Sequence, residues 1–155
     1  MEQDFWREYE DVERLVLASV KLGSGRGRLC CRTRIRVATF ILTWEFEELA
    51  HLRDEYYMWI VDVDATVKAL AKEGLLEERL EFPGAVDGMR LPGYGIYTYR
   101  LTRAGRVLAD RAVKEMSPEM RRRLKELLEM NLWALVGQAY VKYPEQFAYR
   151  EFDLA

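Results

Sequence analysis

The segment IYTYRLTRAGRVLADRA, Ile96 to Ala112, changes its period in the middle, and that change narrows what the chain can fold into. Up to Leu101 the residues alternate. Ile96, Thr98 and Arg100 fall on one side and Tyr97, Tyr99 and Leu101 on the other, as in a half-buried strand. After Thr102 the spacing is helical, with Val107, Leu108, Arg111 and Ala112 recurring, and Thr102 is placed to accept a free amide of the first turn as an N-cap. A strand that runs straight into a helix belongs to a mixed fold in which a hairpin returns to a helical body.

The rest of the chain supplies that body. Its 155 residues fit one domain with room for an extension, and the 50% that are apolar suffice for a core. Asp4 to Leu22 reads as an amphipathic helix, with Phe5, Tyr9, Val12, Leu15, Val16, Ser19 and Val20 near one face, and GSGRG ends it. A second helix starts near Thr33. Ile35, Ala38, Phe40, Ile41, Leu42, Trp44 and Phe46 make it apolar almost all round, the pattern of a central buried helix. Tyr56 to Val61, crowded with aromatic and β-branched residues, reads as a short strand, after which Asp62 or Asp64 caps a third helix that runs through Lys72. LLEERLEF and YGIYTYRL read as two strands joined by PGAVDGMRLPG, a turn-rich tip with no room for core. Ser117-Pro118-Glu119 opens a last long helix to about Tyr140, with Pro144 beyond it. The expected class is α+β and mostly helical, in a single domain over 1–155: an N-terminal helix over 1–22, a core over 33–116 and a helical extension over 117–155.

A helical trio followed by a two-stranded hairpin is the layout of the winged helix-turn-helix family, and the sequence resembles that family directly. VKALAKEGLLEER, Val67 to Arg79, resembles the end of the recognition helix entering the first wing strand. YTYRLTRAGRVLAD, Tyr97 to Asp110, is similar to the aromatic-x-Leu-Thr-x-x-Gly pattern that closes the second. GRLCCRTRIRVATFIL and LWALVGQAYVKYPEQF further resemble the two ends of a group of prokaryotic winged-helix proteins, many of them archaeal. Related domains occur in Panacea-type antitoxins. Arg36-Val37 stands where that group has Gln-Lys. The resemblance implies a winged helix with a two-stranded wing and added terminal helices, and a DNA-binding transcriptional regulator that works as a homodimer. The alternative from a different class is a protein-interaction module, antitoxin-like or an assembly domain, that does not bind DNA.

Charge decides where DNA could be met. The net charge of -2 does not announce a nucleic-acid partner, but the distribution is segmented: residues 23–36 hold five arginines and no acid, and 37–65 hold seven acids and one arginine. Candidate phosphate contacts are Arg26 and Arg28 in the glycine-rich loop, Arg32 at the next helix start, Lys68 and Lys72 on the third helix, and Arg79, Arg90, Arg100 and Arg103 on the wing. The third helix offers no Arg, Asn or Gln to read base edges, and Asp62, Asp64 and Glu73 offset its lysines, so the wing is expected to carry more of the affinity. Leu128, Leu132, Trp133, Leu135, Val136 and Tyr140 form an apolar stripe expected at a dimer interface.

No cofactor, metal or enzymatic activity is expected. Cys30 and Cys31 are adjacent, so their side chains should diverge and form no ordinary disulfide, and no second pair exists to build a zinc site. His51 is the single histidine, and the acids Glu45, Glu47, Glu48, Asp54 and Glu55 read as a solvated face more readily than as ligands of a hard cation. No apolar run reaches the length of a membrane span, and MEQDFWREYE does not resemble a signal peptide, so a cytoplasmic protein is expected. The charged fraction of 32%, above the roughly 25% of ordinary domains, fits a thermophilic source.

Overall fold

The computed structural model describes residues 2–25 and 27–148, with side chains described over 11–25 and 27–147. The elements are α1 (Glu2–Gly23), β1 (Leu29–Cys30), α2 (Arg32–Glu45), a 3-10 turn (Glu47–Leu52), α3 (Tyr56–Lys72), β2 (Leu76–Glu81), β3 (Ala85–Val86), β4 (Met89–Arg90), β5 (Ile96–Leu101), α4 (Arg103–Glu115), α5 (Pro118–Glu129), α6 (Leu132–Lys142) and a closing π turn (Pro144–Ala148). The class is α+β with helix predominant, as the period changes anticipate.

α2 is the central helix. Ile35, Val37, Ala38, Phe40, Ile41 and Leu42 are all buried, and α1, α3, α5 and α6 pack around it. α1 contributes Val12, Leu15, Val16, Leu17, Ala18 and Val20 to the same core; the expected contributions of Phe5 and Tyr9 lie outside the described side chains. The closing π turn belongs to this core too. Phe147 is buried, 4.3 Å from the Tyr56 ring, and Phe40 touches Tyr56 and Tyr143 edge-on.

Two expectations about helices are corrected. Tyr56 to Val61 is the first part of α3 and not a strand, and neither Asp62 nor Asp64 caps it. Tyr56, Trp59, Val63, Val67 and Leu70 recur at helical spacing and are all buried, so the 3.6-residue period overrides the strand preference of the aromatic and β-branched residues. The second correction concerns the last helix, which is two. Met130 takes extended backbone, and the Asn131 side-chain oxygen accepts from the amides of Trp133 and Ala134, capping α6 as a new helix. Ser117 caps α5 as its sequence implies, accepting from Met120 N at 3.2 Å.

The main sheet is antiparallel, in the order β1-β5-β2. Leu76 pairs with Leu101 and Leu29 with Tyr99, which turns these four buried side chains toward the helices. β1 is too short for its alternation to show in the sequence. Where β5 ends, Thr102 joins three elements: its amide donates to Leu75 O, its hydroxyl donates to Gly74 O at 2.7 Å, and its hydroxyl oxygen accepts from Gly105 N at 3.0 Å. The Thr-x-x-Gly spacing has a steric reason as well. A Cβ at Gly105 would stand 1.9 Å from Leu75 O, so only glycine lets α4 begin this close to the start of β2.

Gly105→Ala is therefore expected to cost more than ~2 kcal/mol of stability. Gly137→Ala, inside α6 with nothing within 4 Å of its Cβ, should be neutral or stabilising by up to about 1 kcal/mol. Chemical denaturation of both variants beside the parent checks the contrast.

Candidate functional site

The arginine run at the α2 entrance is held by the protein itself. Arg28 donates through Nε to Thr98 Oγ1 at 2.7 Å, and through its terminal nitrogens to the Glu77 carboxylate, Glu77 O and Thr98 O. Arg32 donates to Tyr99 Oη and to the Glu78 carboxylate, both at 2.8 Å, and lies over the Tyr97 ring at 4.4 Å. Arg36 grips the Asp64 carboxylate with two nitrogens, tying α2 to α3. Arg34 is buried and donates to Cys30 O, Leu128 O, Met130 O and the Asp87 carboxylate. Arg26 lies outside the described residues. To meet a phosphate, Arg28 or Arg32 would first have to leave these partners.

The β2–β5 arm neutralises its own charge as well. Glu77 accepts from Arg100 and Arg79 in addition to Arg28, and Arg79 also lies near Glu81. The Arg100 hydrogen bond, helped by the charges of Arg28 and Arg79, holds the Glu77 carboxyl below its usual range despite some desolvation. Among the described residues, exposed cations without an ion-pair partner are Lys68 and Lys72 on α3, Arg90 on β4, Arg103, Arg106, Arg111 and Lys114 on α4, and Arg122 on α5. The Thr102–Gly74 bond brings the end of α3 against the start of α4, so Lys72 and Arg103 share one corner of the molecule.

The tip was expected to contribute nothing to a core, and this is corrected. β3 and β4 form a short hairpin around Asp87 and Gly88, both at positive φ, the two-residue turn that suits a tight hairpin. Val86 is buried and packs with Cys31 and Leu132 in a small cluster of its own. Asp87 then locks the hairpin down. Its carboxylate accepts from Arg34 and from Leu132 N, each at 2.6 Å, while Asn131 Nδ2 donates to Asp87 O and Trp133 Nε1 to Val86 O. Asp87 thus serves the first turn of α6 from across the chain, where an anion is stabilised. Desolvation opposes ionisation, but the Leu132 amide and Arg34 outweigh it and hold the Asp87 carboxyl below the usual range.

Exposed apolar side chains lie on α3, the arm, α4 (Val107, Leu108) and α6 (Trp133, Val141). The first half of α3 shows Tyr57, Met58 and Val61, the last 57% exposed. On the arm, the register sets Leu80 opposite Tyr97, and Leu80 and Phe82 lie over Gly95. Of the six residues expected at a dimer interface, Leu128, Leu132 and Leu135 are buried within the chain, Val136 and Tyr140 are partly buried against it, and Trp133 is 38% exposed. The sequence could not tell a stripe that faces a partner from one that faces α2.

His51 is exposed and bonded to Asp11 at 2.8 Å. Glu45, in the acidic run, pairs with Arg123. Among the described residues, no three His, Cys, Asp or Glu side chains gather to hold a metal ion, and no helix is long and apolar enough to cross a membrane. Both cysteines are free, as expected, but their side chains do not diverge. Cys30 ends β1 and Cys31 precedes α2, and at that turn between elements both side chains enter the small cluster under the tip. Compared with protein-family models, with curated proteins and with solved structures, the chain matches none.

Asp87→Asn keeps the side-chain volume and removes the charge that Arg34 and the α6 amide share. A loss of about 1–3 kcal/mol is expected, read by denaturant unfolding near neutral pH. The pH dependence has a definite sign. The folded carboxyl titrates below the unfolded one, so its contribution is present above the unfolded pKa, near 3.9, and is lost as pH falls through the folded value. Stability of the Asp87→Asn variant should accordingly fall less steeply than that of the parent over that acid range.

Proposed function

We propose that the chain is a winged-helix DNA-binding regulator whose phosphate contacts centre on the corner where α3 meets α4. The observation that carries this reading is the survival of Lys68, Lys72, Arg103 and Arg106 as exposed cations without an ion-pair partner among the described residues, while Arg28, Arg32, Arg79 and Arg100 are paired with Glu77 and Glu78. The element order supports it. Three helices, a strand between the first two, and a β2–β5 arm that returns to the body are the order in which α3 would serve as the recognition helix and the arm as the wing. Lysines without base-reading partners suit a protein that tracks the backbone more than the sequence.

The internal pairing changes which element should matter. Counting charges along the chain favours the wing, but Arg79 and Arg100 share Glu77, so removing them subtracts charge that is already compensated. Lys68 and Lys72 have no such partner. A second reading, docking of a protein on α3, is favoured by the exposed Tyr57, Met58 and Val61, which carry little attraction for a phosphate. Homodimerisation belongs to the proposal, with Trp133 and the 82% exposed Val141 as the open apolar positions of α6.

Fluorescence anisotropy with a labelled duplex over a salt series tests the proposal. Log affinity should fall linearly with log salt, by about 0.9 per phosphate contact. Replacing Lys68 and Lys72 with alanine should flatten that slope by roughly two contacts, whereas Arg100→Ala should leave it nearly unchanged. Absence of binding at low salt sinks the DNA reading and leaves the apolar α3 face as the site of function.

A further inference from the structure

The proposed function makes no use of the two thiols, and their placement is unusual for incidental cysteines. Both belong to the cluster with Val86 and Leu132, outside the main core, directly beneath the tip. Cys31 has 6% of its surface exposed and Cys30 is half-buried on β1, an edge strand of the sheet. The Cys30 thiol beside it lowers the Cys31 thiol to about 6; burial opposes this, and the amides of Arg34 and Thr33 and the Arg34 guanidinium add to it. Cys31 in turn, together with burial, pushes the Cys30 thiol up. These directions favour Cys31 as the attacking thiol and Cys30 as the resolving one.

We propose that Cys31 and Cys30 form a redox-modification site, in which a hydroperoxide oxidises Cys31, Cys30 closes a disulfide with it, and closure unseats the tip. The Cys31 thiolate attacks a peroxide oxygen. An S–O bond forms as the O–O bond breaks, and the departing hydroxide takes a proton to leave as water. Cys30 sulfur then attacks the Cys31 sulfur. The S–S bond forms, the S–O bond breaks, and the hydroxide leaves as water with the Cys30 proton. Two thiols are oxidised to one disulfide and one hydrogen peroxide is reduced to two waters. The scant exposure of Cys31 favours so small an oxidant over a bulky disulfide.

The link to the tip is mechanical. Bonded sulfurs lie about 2 Å apart, much closer than two thiols in mere contact, so closure draws the Cys31 sulfur away from the cluster it shares with Val86. It also moves Cys30, whose carbonyl shares the Arg34 guanidinium with Asp87. Val86 and Asp87 are the two anchors of the hairpin, and the exposed Arg90 rides on it. The redox state of the pair thereby sets whether the tip is clamped to α6 or free.

Treatment of the intact protein with hydrogen peroxide, followed by whole-protein mass measurement and peptide mapping, tests this without any DNA. The expected product has lost two hydrogen masses within the Cys30–Cys31 peptide and recovers them with a dithiol reductant. Amide hydrogen exchange over 85–90 should be faster in the oxidised form, and Trp133, whose indole donates to Val86 O, should change its emission. Cys30→Ser should retain a single oxygen on Cys31 that dimedone captures, and Cys31→Ser should take up none at the same peroxide dose. An unchanged parent mass, or a disulfide joining two chains, overturns the site. Closure with unchanged exchange at 85–90 overturns the coupling to the tip. Both of these outcomes are read on the parent protein, so they stand even if a serine variant does not fold.

Discussion

A buried guanidinium organises one whole end of this molecule. Arg34 is 6% exposed, and an unpaired charge at that depth would be costly. It is tolerated because its nitrogens meet three backbone carbonyls and one carboxylate, drawn from β1, the end of α5, the junction before α6 and the tip. Each of those acceptors needs the arginine in turn. The carbonyls of Leu128 and Met130 sit where α5 stops, so their partner is a side chain of α2 in place of a further helical turn. The break between α5 and α6, the clamping of the hairpin and the positions of both thiols follow from the requirement that one buried charge be satisfied on every side. Lysine could not substitute, because a single ammonium cannot reach four acceptors held in a planar fork.

The same economy of internal pairing governs the surface. Arg28, Arg32 and Arg36 stand in a stretch without acids, which along the chain looks like a phosphate-binding patch. In the fold they meet Glu77, Glu78 and Asp64. What the sequence offers as charge for a partner is largely used to fasten β1 and α2 to the arm and to α3. The cations of the α3–α4 corner are left over because, among the described residues, no carboxylate is brought within bonding distance of them.

How much could be read beforehand depended on the range of the interaction. The caps at Thr102 and Ser117 were legible because each is a side chain bonding to an amide three residues on. The core character of α2 was legible because its middle turns, 37–42, are apolar apart from Thr39, and all six residues are buried. The first half of α3 was not, since Tyr-Tyr-Met-Trp-Ile-Val fits a strand as well as a helix until its burial period is seen to continue through Val63, Val67 and Leu70. The break at Asn131 was hidden because the apolar spacing of Leu128, Leu132 and Leu135 runs through it. The fates of Arg28, Arg32 and Arg34 were hidden for a different reason: their acidic partners lie 46 to 53 residues away, and no local pattern announces a contact of that separation.

The division of α3 into two unlike halves bears on how such a domain would meet DNA. Its first half exposes Tyr57, Met58 and Val61, with Asp62 beside them, and its last turns carry Lys68 and Lys72. In a helix lying in the major groove, the N-terminal residues commonly reach base edges. Apolar side chains there could contact little beyond thymine methyls, and Asp62 would meet a field of phosphates. Tilting the helix so that its C-terminal end approaches the backbone places Lys68 and Lys72 on phosphates, brings Arg103 and Arg106 to the same strand through the Thr102–Gly74 junction, and lifts the apolar half away from the duplex. In that orientation the two surfaces do not compete. On the proposed reading the cationic corner would hold the backbone while the exposed Met58 and Val61 faced away from it, so one helix could serve both partners at once.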